Sequence, residues 1–528
     1  MAITYGVVLP GFLLFGYNNA VAGGLVELAS WEATFPNIDT SRSHARNTAT
    51  LQGLAISLYM LGLAVGCLVC IYVGPRLGRR RTILLSTGAM IGGAVIQSAA
   101  FSFGQLIAGR LITGLVFGMA TCTYAVYQQE CSIGTSHQRG SLAALEGVFN
   151  TGGLALANWV NLGFFFSKGA VAWRFPLAFP ICLALYICFF AACLPESPSW
   201  LLHHGRAADA RRVVAALLDA PPEGPAVADV LAEMQGSLDK TRGTRFRDLF
   251  QIHSSNNASD GNRLWHRTVL AALTMFFQQW TGINAVSSYN SSLFAKIGLD
   301  GTLSRILSAA AFTWFTLTAG LPFLLVERLG RRKLLIASAA GMAACMAVLA
   351  GATSVPSNRA ALIVAALFVF LYLTCMGIGF YGIPFFYAVE IAPHAYRSQI
   401  SAIAYNFLWL FAFVTAEITP VGLSTIGSRY FVIFAVCNAV IAAAVYLFFP
   451  ETMNLTLEQI DQIFIETTGF WDCVAAARRV RSRFVLPGHG HGHDDEAGRT
   501  KAPRLADKEN STEERVETTT EKETLPQE

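Results

Sequence analysis

FFQQWTGINAVSSYN, Phe276 to Asn290, decides how this chain is read. It sets the amides of Gln278, Gln279 and Asn284 and the phenol of Tyr289 among Phe276, Phe277, Trp280 and Ile283. On a helix, steps of three and four residues share a face. Gln278, Thr281 and Ser288 are therefore expected on one side, flanked by Gln279 and Asn284, with the aromatics outward. The apolar flanks make the segment long enough to cross a bilayer, as one span near 268–294. Uncharged amides inside a membrane are costly unless paired or wetted. They fit a cavity for a polar, uncharged ligand, and equally hydrogen bonds that glue helices together.

The rest of the chain supports the membrane setting. Of its 528 residues, 53% are apolar and only 14% charged, and the mean hydropathy is +0.46. Further apolar stretches of bilayer length fall near 5–27, 51–73, 83–104, 105–128, 141–166, 172–194, 303–326, 333–353, 360–389, 398–420 and 428–449. An all-α polytopic membrane protein of twelve transmembrane helices follows. The 11 cysteines are scattered, mostly within spans, which argues against a disulfide framework. A net charge of +4 implies nothing about nucleic acid, and no nucleic-acid partner is expected. Intramembrane histidines are absent and the lone carboxylates have no evident nucleophile partner, so an enzyme is not expected. No cofactor or metal site is read, His489, His491 and His493 belonging to a solvated tail. Four residues precede the first span, a short arm that an incomplete gene model would also produce.

Basic loops set the orientation. Arg76 and Arg79 to Arg81 follow span 2, Arg328 and Arg331 to Lys333 follow span 8, and the polar segment after Pro195 carries more. Both termini are expected in the cytoplasm. The chain also repeats itself: GPRLGRRRTILL returns as VERLGRRKLLIA, Gly78 and Gly330 being 252 residues apart. YQQE at Glu130 returns as YAVE at Glu390, 260 residues on, and LPES at Pro195 as FPET at Pro450, 255 on. Two related six-helix halves are implied, 1–194 and 268–449, joined by a helical cytoplasmic linker, 195–267. A cytoplasmic tail, 450–528, is expected to be disordered beyond about 484. Arg478, Arg479, Arg481 and Arg483 lie close enough to the exit of span 12 to meet anionic lipid. Two parallel-related halves around a midplane site are how alternating-access transporters are built.

The two GRR loops, GRLITGL at 109–115, PESPSWL at 195–201, QQWTGIN at 278–284 and PETMNLTLEQID at 450–461 together resemble the sugar porter family of the major facilitator superfamily. ITPVGLSTIGSRYFVIFAVCNAV further resembles fungal hexose- and disaccharide-transporter-like members. The resemblance implies a sugar or polyol site between pseudo-symmetric halves, in a monomer, with the plasma membrane as the default location. It assigns substrate contacts to Gln278, Gln279, Asn284, Tyr289, Phe385 and Asn406. Departures from the family pattern are Phe385 for a tryptophan, Ser288 for the first of two tyrosines, and Gly147 for a glutamine, with Glu146 beside it.

For coupling, proton-linked members pair an aspartate in span 1 with an arginine in span 4. Here the arginine is Arg110, but Asn18 stands at the aspartate position and cannot titrate. Facilitative uniport is expected. Proton symport through another carboxylate, Glu146 or Glu417, stays open, as does a sugar receptor that carries no useful flux. The resemblance also implies a cytoplasmic gate from Arg79, Glu130 and Arg139 in the first half and Glu327, Arg331, Glu390 and Arg397 in the second. Pro75 and Ser199 depart from the pattern there, each expected to lose an anchoring contact.

Overall fold

The computed structural model describes residues 3–26, 28–36, 46–131, 136–241, 248–249, 263–288, 294, 300–355, 358–393, 396–453, 455–467 and 469–484. Its architecture is the expected one, twelve spans in two six-helix halves. Span 1 is a π-helical turn, Thr4–Val8, running into Leu9–Val21. Spans 2 to 5 are Arg46–Leu77, Arg79–Ser98, Phe103–Cys131 and Ser136–Phe165. Span 6 is Val171–Ala178 with Pro180–Cys193, the prolines at 176 and 180 marking its joint. In the second half, span 7 is Leu264–Trp280 with Ile283–Ser288, and span 8 is Gly301–Ala319 with Pro322–Leu329. Span 9 is Arg331–Thr353, and span 10 is Arg359–Ile378 with Ile383–Glu390. Spans 11 and 12 are Arg397–Thr425 and Arg429–Phe448. Among the described residues, seven helices are individually long and apolar enough to cross a bilayer: spans 2, 4, 6, 9, 10, 11 and 12. The other five are interrupted or more polar.

The linker carries short helices at Pro198–His203, Ala207–Leu218 and Pro225–Thr241. Arg206 and Arg212 bracket the partly exposed Asp209. The hydrogen bond from Arg206 holds that carboxyl below its ordinary range. Such solvated pairs add little stability. After span 12, Leu457–Glu466 opens on a capping box, in which Thr456 and Gln459 satisfy each other's backbone. An amphipathic helix, Cys473–Phe484, follows.

Within the first half, span 4 packs on spans 2 and 3, and span 1 on span 5. Within the second, span 9 packs on spans 10 and 12, and span 7 on span 11. The halves meet along two seams, span 2 against span 11 and span 5 against span 8. Hydrogen bonds stitch both seams on the face away from the linker. Ser57 donates to Glu417 at 2.7 Å, Ser308 to Asn158 at 2.9 Å, and Trp159 Nε1 to Thr313 at 3.0 Å. Arg305 reaches Gly24 O at 2.6 Å.

One expectation is corrected. Span 7 is not a single helix from 268 to 294; it stops at Trp280 and restarts at Ile283. Gly282 sits at φ +96°, where an added Cβ would lie 2.9 Å from the Phe434 ring, so the turn is closed to any larger residue. The break frees the Thr281 carbonyl, which accepts from Tyr372 Oη at 3.1 Å and Asn438 Nδ2 at 2.9 Å. The aromatics do not simply face outward either. Phe276 meets Phe411 of span 11 edge-on at 4.6 Å, and Phe277 lies 6.1 Å from Phe449.

Candidate transport site

Two broken helices supply the centre of the site. Span 10 unwinds between Ile378 and Ile383, which frees the Tyr381 carbonyl; Gln278 Nε2 donates to it at 3.1 Å. Irregular backbone is tolerated at membrane depth only where such partners or a polar cavity receive it. The amide of Gln278 is thereby fixed in direction, and its buried Oε1 has no hydrogen-bond partner among the described residues. Asn284, across the Gly282 turn, donates Nδ2 to Gln279 Oε1 at 2.6 Å and to Thr415 Oγ1 at 2.8 Å. Part of the amide cluster thus does glue spans 7 and 11 together, while Gln278 keeps an acceptor in hand. Gln278, Gln279 and Asn284 are all buried. Tyr289 lies outside the described residues.

The second-half wall is aromatic. Phe385 is half-buried, and its ring centroid is 5.6 Å from that of Tyr405. Asn406 spends Nδ2 on Ala64 O at 3.1 Å, across the seam to span 2. Glu146 of span 5 is half-buried and within electrostatic range of Tyr405. Sequence reasoning missed Tyr405, Tyr381 and Thr415, because nothing in residue type distinguishes them from core.

The Asn18–Arg110 pair departs from a charge pair in a specific way. Asn18 is fully buried and turns Nδ2 back to Leu14 O in its own helix, at 3.0 Å. Arg110, also buried, is held by carbonyls: Ala55 and Ile56 at 3.2 Å each, and Asn18 O at 3.5 Å. The face of Tyr59 lies 4.9 Å from its guanidinium carbon. Backbone dipoles and a π-face replace the carboxylate.

On the linker face the two halves build the same brace twice. Arg79 grips Glu130 through Nε at 2.9 Å and Nη2 at 2.7 Å, and Ser197 Oγ donates to Glu130 at 2.5 Å. Arg331 grips Glu390 at 3.3 and 2.9 Å, and Thr452 Oγ1 donates to it at 2.7 Å. As placed, both pairs lie inside one half rather than across the seam. Glu327 is exposed. Arg397 has no hydrogen-bond partner for Nε among the described residues, though Asp461 is within electrostatic range. Arg139 falls on span 5, its side chain outside the described set.

The acids that organise these braces were not picked out from the sequence. Glu196 Oε1 accepts the N–H groups of Arg79, Arg80 and Ser197 at 2.7, 3.0 and 3.0 Å. Glu451 accepts those of Arg331, Arg332, Thr452 and Met453 at 2.9–3.2 Å. Glu196 thereby caps the positive end of span 3, and Glu451 that of span 9. Gly78 and Gly330, both at φ +90°, let the carboxylates approach; a Cβ at either would lie 2.5 Å from one of their oxygens. The Pro75 anchor expected to be lost has a substitute, Trp200 Nε1 donating to Pro75 O at 2.7 Å.

The model of the family "Sugar (and other) transporter" matches residues 3–464. This chain belongs to that family. The Sugar transporter STL1 of Saccharomyces cerevisiae is 34% identical over 463 residues, 86% of this chain and 80% of the relative. The MFS-type transporter oryC of Aspergillus oryzae is also 34% identical, covering 85% and 83%. Among solved structures, the proton:xylose symporter XylE bound to 6-bromo-6-deoxy-D-glucose superposes with a TM-score of 0.72 at 24% identity, covering 88% and 98%. The protein is therefore a multi-pass membrane transporter of the major facilitator fold and not an enzyme.

Proposed function

We propose that this transporter carries a sugar or sugar-like polyol by alternating access, as a facilitative uniporter. The observation that carries the substrate reading is Gln278, a buried amide anchored through Nε2 with Oε1 unpaired. A substrate hydroxyl donating to Oε1 satisfies it, with Gln279, Asn284 and Asn406 adding amides, Tyr289 a phenol, and Phe385 with Tyr405 an apolar wall. The names of the relatives, a sugar transporter and a xylose symporter, favour the same class. Gln278→Leu, which removes the Oε1 acceptor together with the Nε2 anchor on Tyr381 O, is expected to raise KM for the transported sugar at least about tenfold, the loss of one hydrogen bond to a buried group, measured by labelled uptake into vesicles. An unchanged KM would remove Gln278 from the site.

Uniport rests on Asn18. The Arg110 charge is balanced by carbonyls, so no proton need bind there for the halves to move. Uptake in cells lacking their own sugar carriers is expected to equilibrate and to ignore a protonophore. Accumulation that the protonophore abolishes would favour the symport reading, in which Glu146, half-buried and within electrostatic range of Tyr405, is the proton carrier. That accumulation would reach about fifty-fold at 100 mV for one proton.

The stitched seams on the far face support a state closed there and open toward the linker. Residues 145–150 of span 5 are half-buried, whereas most of 151–162 is buried. With the basic loops cytoplasmic, this is the inward-facing state of a monomer in the plasma membrane. The Arg79–Glu130 and Arg331–Glu390 braces then act as two-position elements, each holding its half rigid and remaking contacts as the linker side closes. Glu327 and Arg397 are the described members left outside these braces and available to cross the seam.

A further inference from the structure

We propose that the junction of spans 9 and 12 with the helix Cys473–Phe484 is a binding site for the headgroup of an anionic phospholipid. Arg332 and Arg478 are its two cationic arms. Arg332 sits on the first turn of span 9. Its Nη2 donates to Tyr446 O, and its guanidinium carbon is 5.1 Å from the centre of the Tyr446 ring. Its Nε is buried and has no hydrogen-bond partner among the described residues. Arg478, exposed on the neighbouring helix, lies within electrostatic range and repels it. The nearby carboxylate is Glu451, which already accepts four backbone N–H groups.

The other acids of this corner are engaged as well. Asp472 pairs with Arg479 and Glu466 with Arg483. Arg478 makes no ion pair among the described residues. Two guanidiniums thus lie within electrostatic range of each other, with a spare donor on Arg332 and no unengaged acid beside them among the described residues. A phosphoryl oxygen supplies what is missing, since guanidinium donors match it in geometry and charge.

The internal repeat provides the contrast. Arg80, the first-half counterpart of Arg332, uses Nε on Ala191 O at 3.2 Å and Nη2 on Ala192 O. It has no idle Nε, so of these two counterparts only Arg332 keeps a vacant donor.

The surroundings say that the anion belongs to a lipid. Trp471 is 71% exposed, and its ring centroid is 4.6 Å from that of Phe448 at the end of span 12. Tyr446 is 56% exposed and Leu447 46%. Aromatic rings outside the protein at the end of a span mark the headgroup level of a bilayer. The buried face of Cys473–Phe484 (Cys473, Ala476, Ala477, Val480) packs on the protein, which leaves its arginines at that level.

The test is native mass spectrometry of the full chain released from nanodiscs of phosphatidylcholine alone or with phosphatidylserine. Phosphatidylserine adducts are expected to persist after phosphatidylcholine has dissociated. Arg478→Gln, a change on an exposed face, should lower their retention about fivefold, and the double change with Arg332→Gln about twenty-five-fold, from about 1 kcal/mol for each arginine near a membrane surface. Arg212→Gln, on the linker, should change it less than twofold. Equal retention of the two lipids, or full retention in Arg478→Gln, would overturn the proposal. So would displacement of phosphatidylserine by inorganic phosphate, because the site would then serve a soluble anion.

Discussion

Asp461→Ala is expected to destabilise the protein by about 3 kcal/mol, more than any loss of an exposed charge on the linker face. Its partner, Arg267, opens span 7 and has a fully buried side chain. Besides the Asp461 carboxylate, that guanidinium has the carbonyls of Ile391 and Asp461, each at 3.3 Å, and lies 4.3 Å from the centre of the Phe464 ring. Removing the acid strands a buried cation, which typically costs about 3–5 kcal/mol. The low end applies because Asp461 is itself 38% exposed, so water can partly replace it. For a helical body of this size the loss corresponds to a fall in Tm of roughly 3 °C. Thermal unfolding in detergent, followed by size-exclusion chromatography, measures it. Asp461→Asn should fall between wild type and alanine, because one acceptor oxygen survives. Glu327→Ala, removing an exposed carboxylate, should stay within about 0.5 kcal/mol of wild type. If Glu327→Ala proved the worse of the two, the clamp between Arg267 and Asp461 would not be what holds the segment after span 12 to span 7.

That clamp shows where the sequence was readable and where it was not. Spans, halves and repeat follow from hydropathy and from motifs recurring at one offset, because a bilayer forces long apolar helices and a duplication preserves spacing. The break in span 7 was missed although Gly282 lies in the middle of the quoted stretch. Glycine is common in membrane helices, and only the three-dimensional demand on Thr281 O, met from spans 10 and 12 by Tyr372 and Asn438, turns this one into a break. Asp461 and Glu451 sit inside motifs that were used to recognise the fold, yet their partners are remote. Arg267 is 194 positions from Asp461, and Arg331 is 120 from Glu451. Pairing over such distances, of guanidinium or of backbone N–H with a carboxylate, is decided by packing, which no local pattern encodes.

The site was legible to the same degree. Residue type marked Gln278, Gln279 and Asn284 as polar groups in a membrane. It could not divide them between holding helices together and meeting a ligand, and the geometry assigns both tasks: Asn284 bonds Gln279 and Thr415, while Gln278 retains a free acceptor. The Asn18 substitution was visible at once. Its consequence, that carbonyls and Tyr59 take over the balancing of Arg110, needed the fold.

Gly53→Trp should reduce uptake about a hundredfold while leaving the protein folded. Gly53 lies in span 2 close against span 11: a Cβ there would be 2.9 Å from Glu417 O and 3.1 Å from Glu417 Oε2. One turn further along, Ser57 makes its hydrogen bond to the same carboxylate. Even a methyl group demands a shift of backbone, and an indole has no room in the closed seam. The penalty falls only on the state in which the far face is shut, because opening separates spans 2 and 11 and gives the ring space. From equal populations, holding the closed state near one per cent takes about 2.7 kcal/mol. Overpacking by single methylenes already costs about 1–3 kcal/mol, so an indole exceeds that figure. Gly53→Ala, whose Cβ demands a far smaller shift than an indole, should slow uptake and not stop it. Ser57→Ala, losing one hydrogen bond of the latch, should shift the balance the same way by about 1 kcal/mol. Uptake into vesicles, read beside Tm and sugar binding in detergent, separates a wedge from a misfolded chain: the wedge keeps Tm and binding and loses flux. Wild-type flux in Gly53→Trp would show instead that the seam between spans 2 and 11 does not open and close during transport, leaving any rocking to the seam between spans 5 and 8.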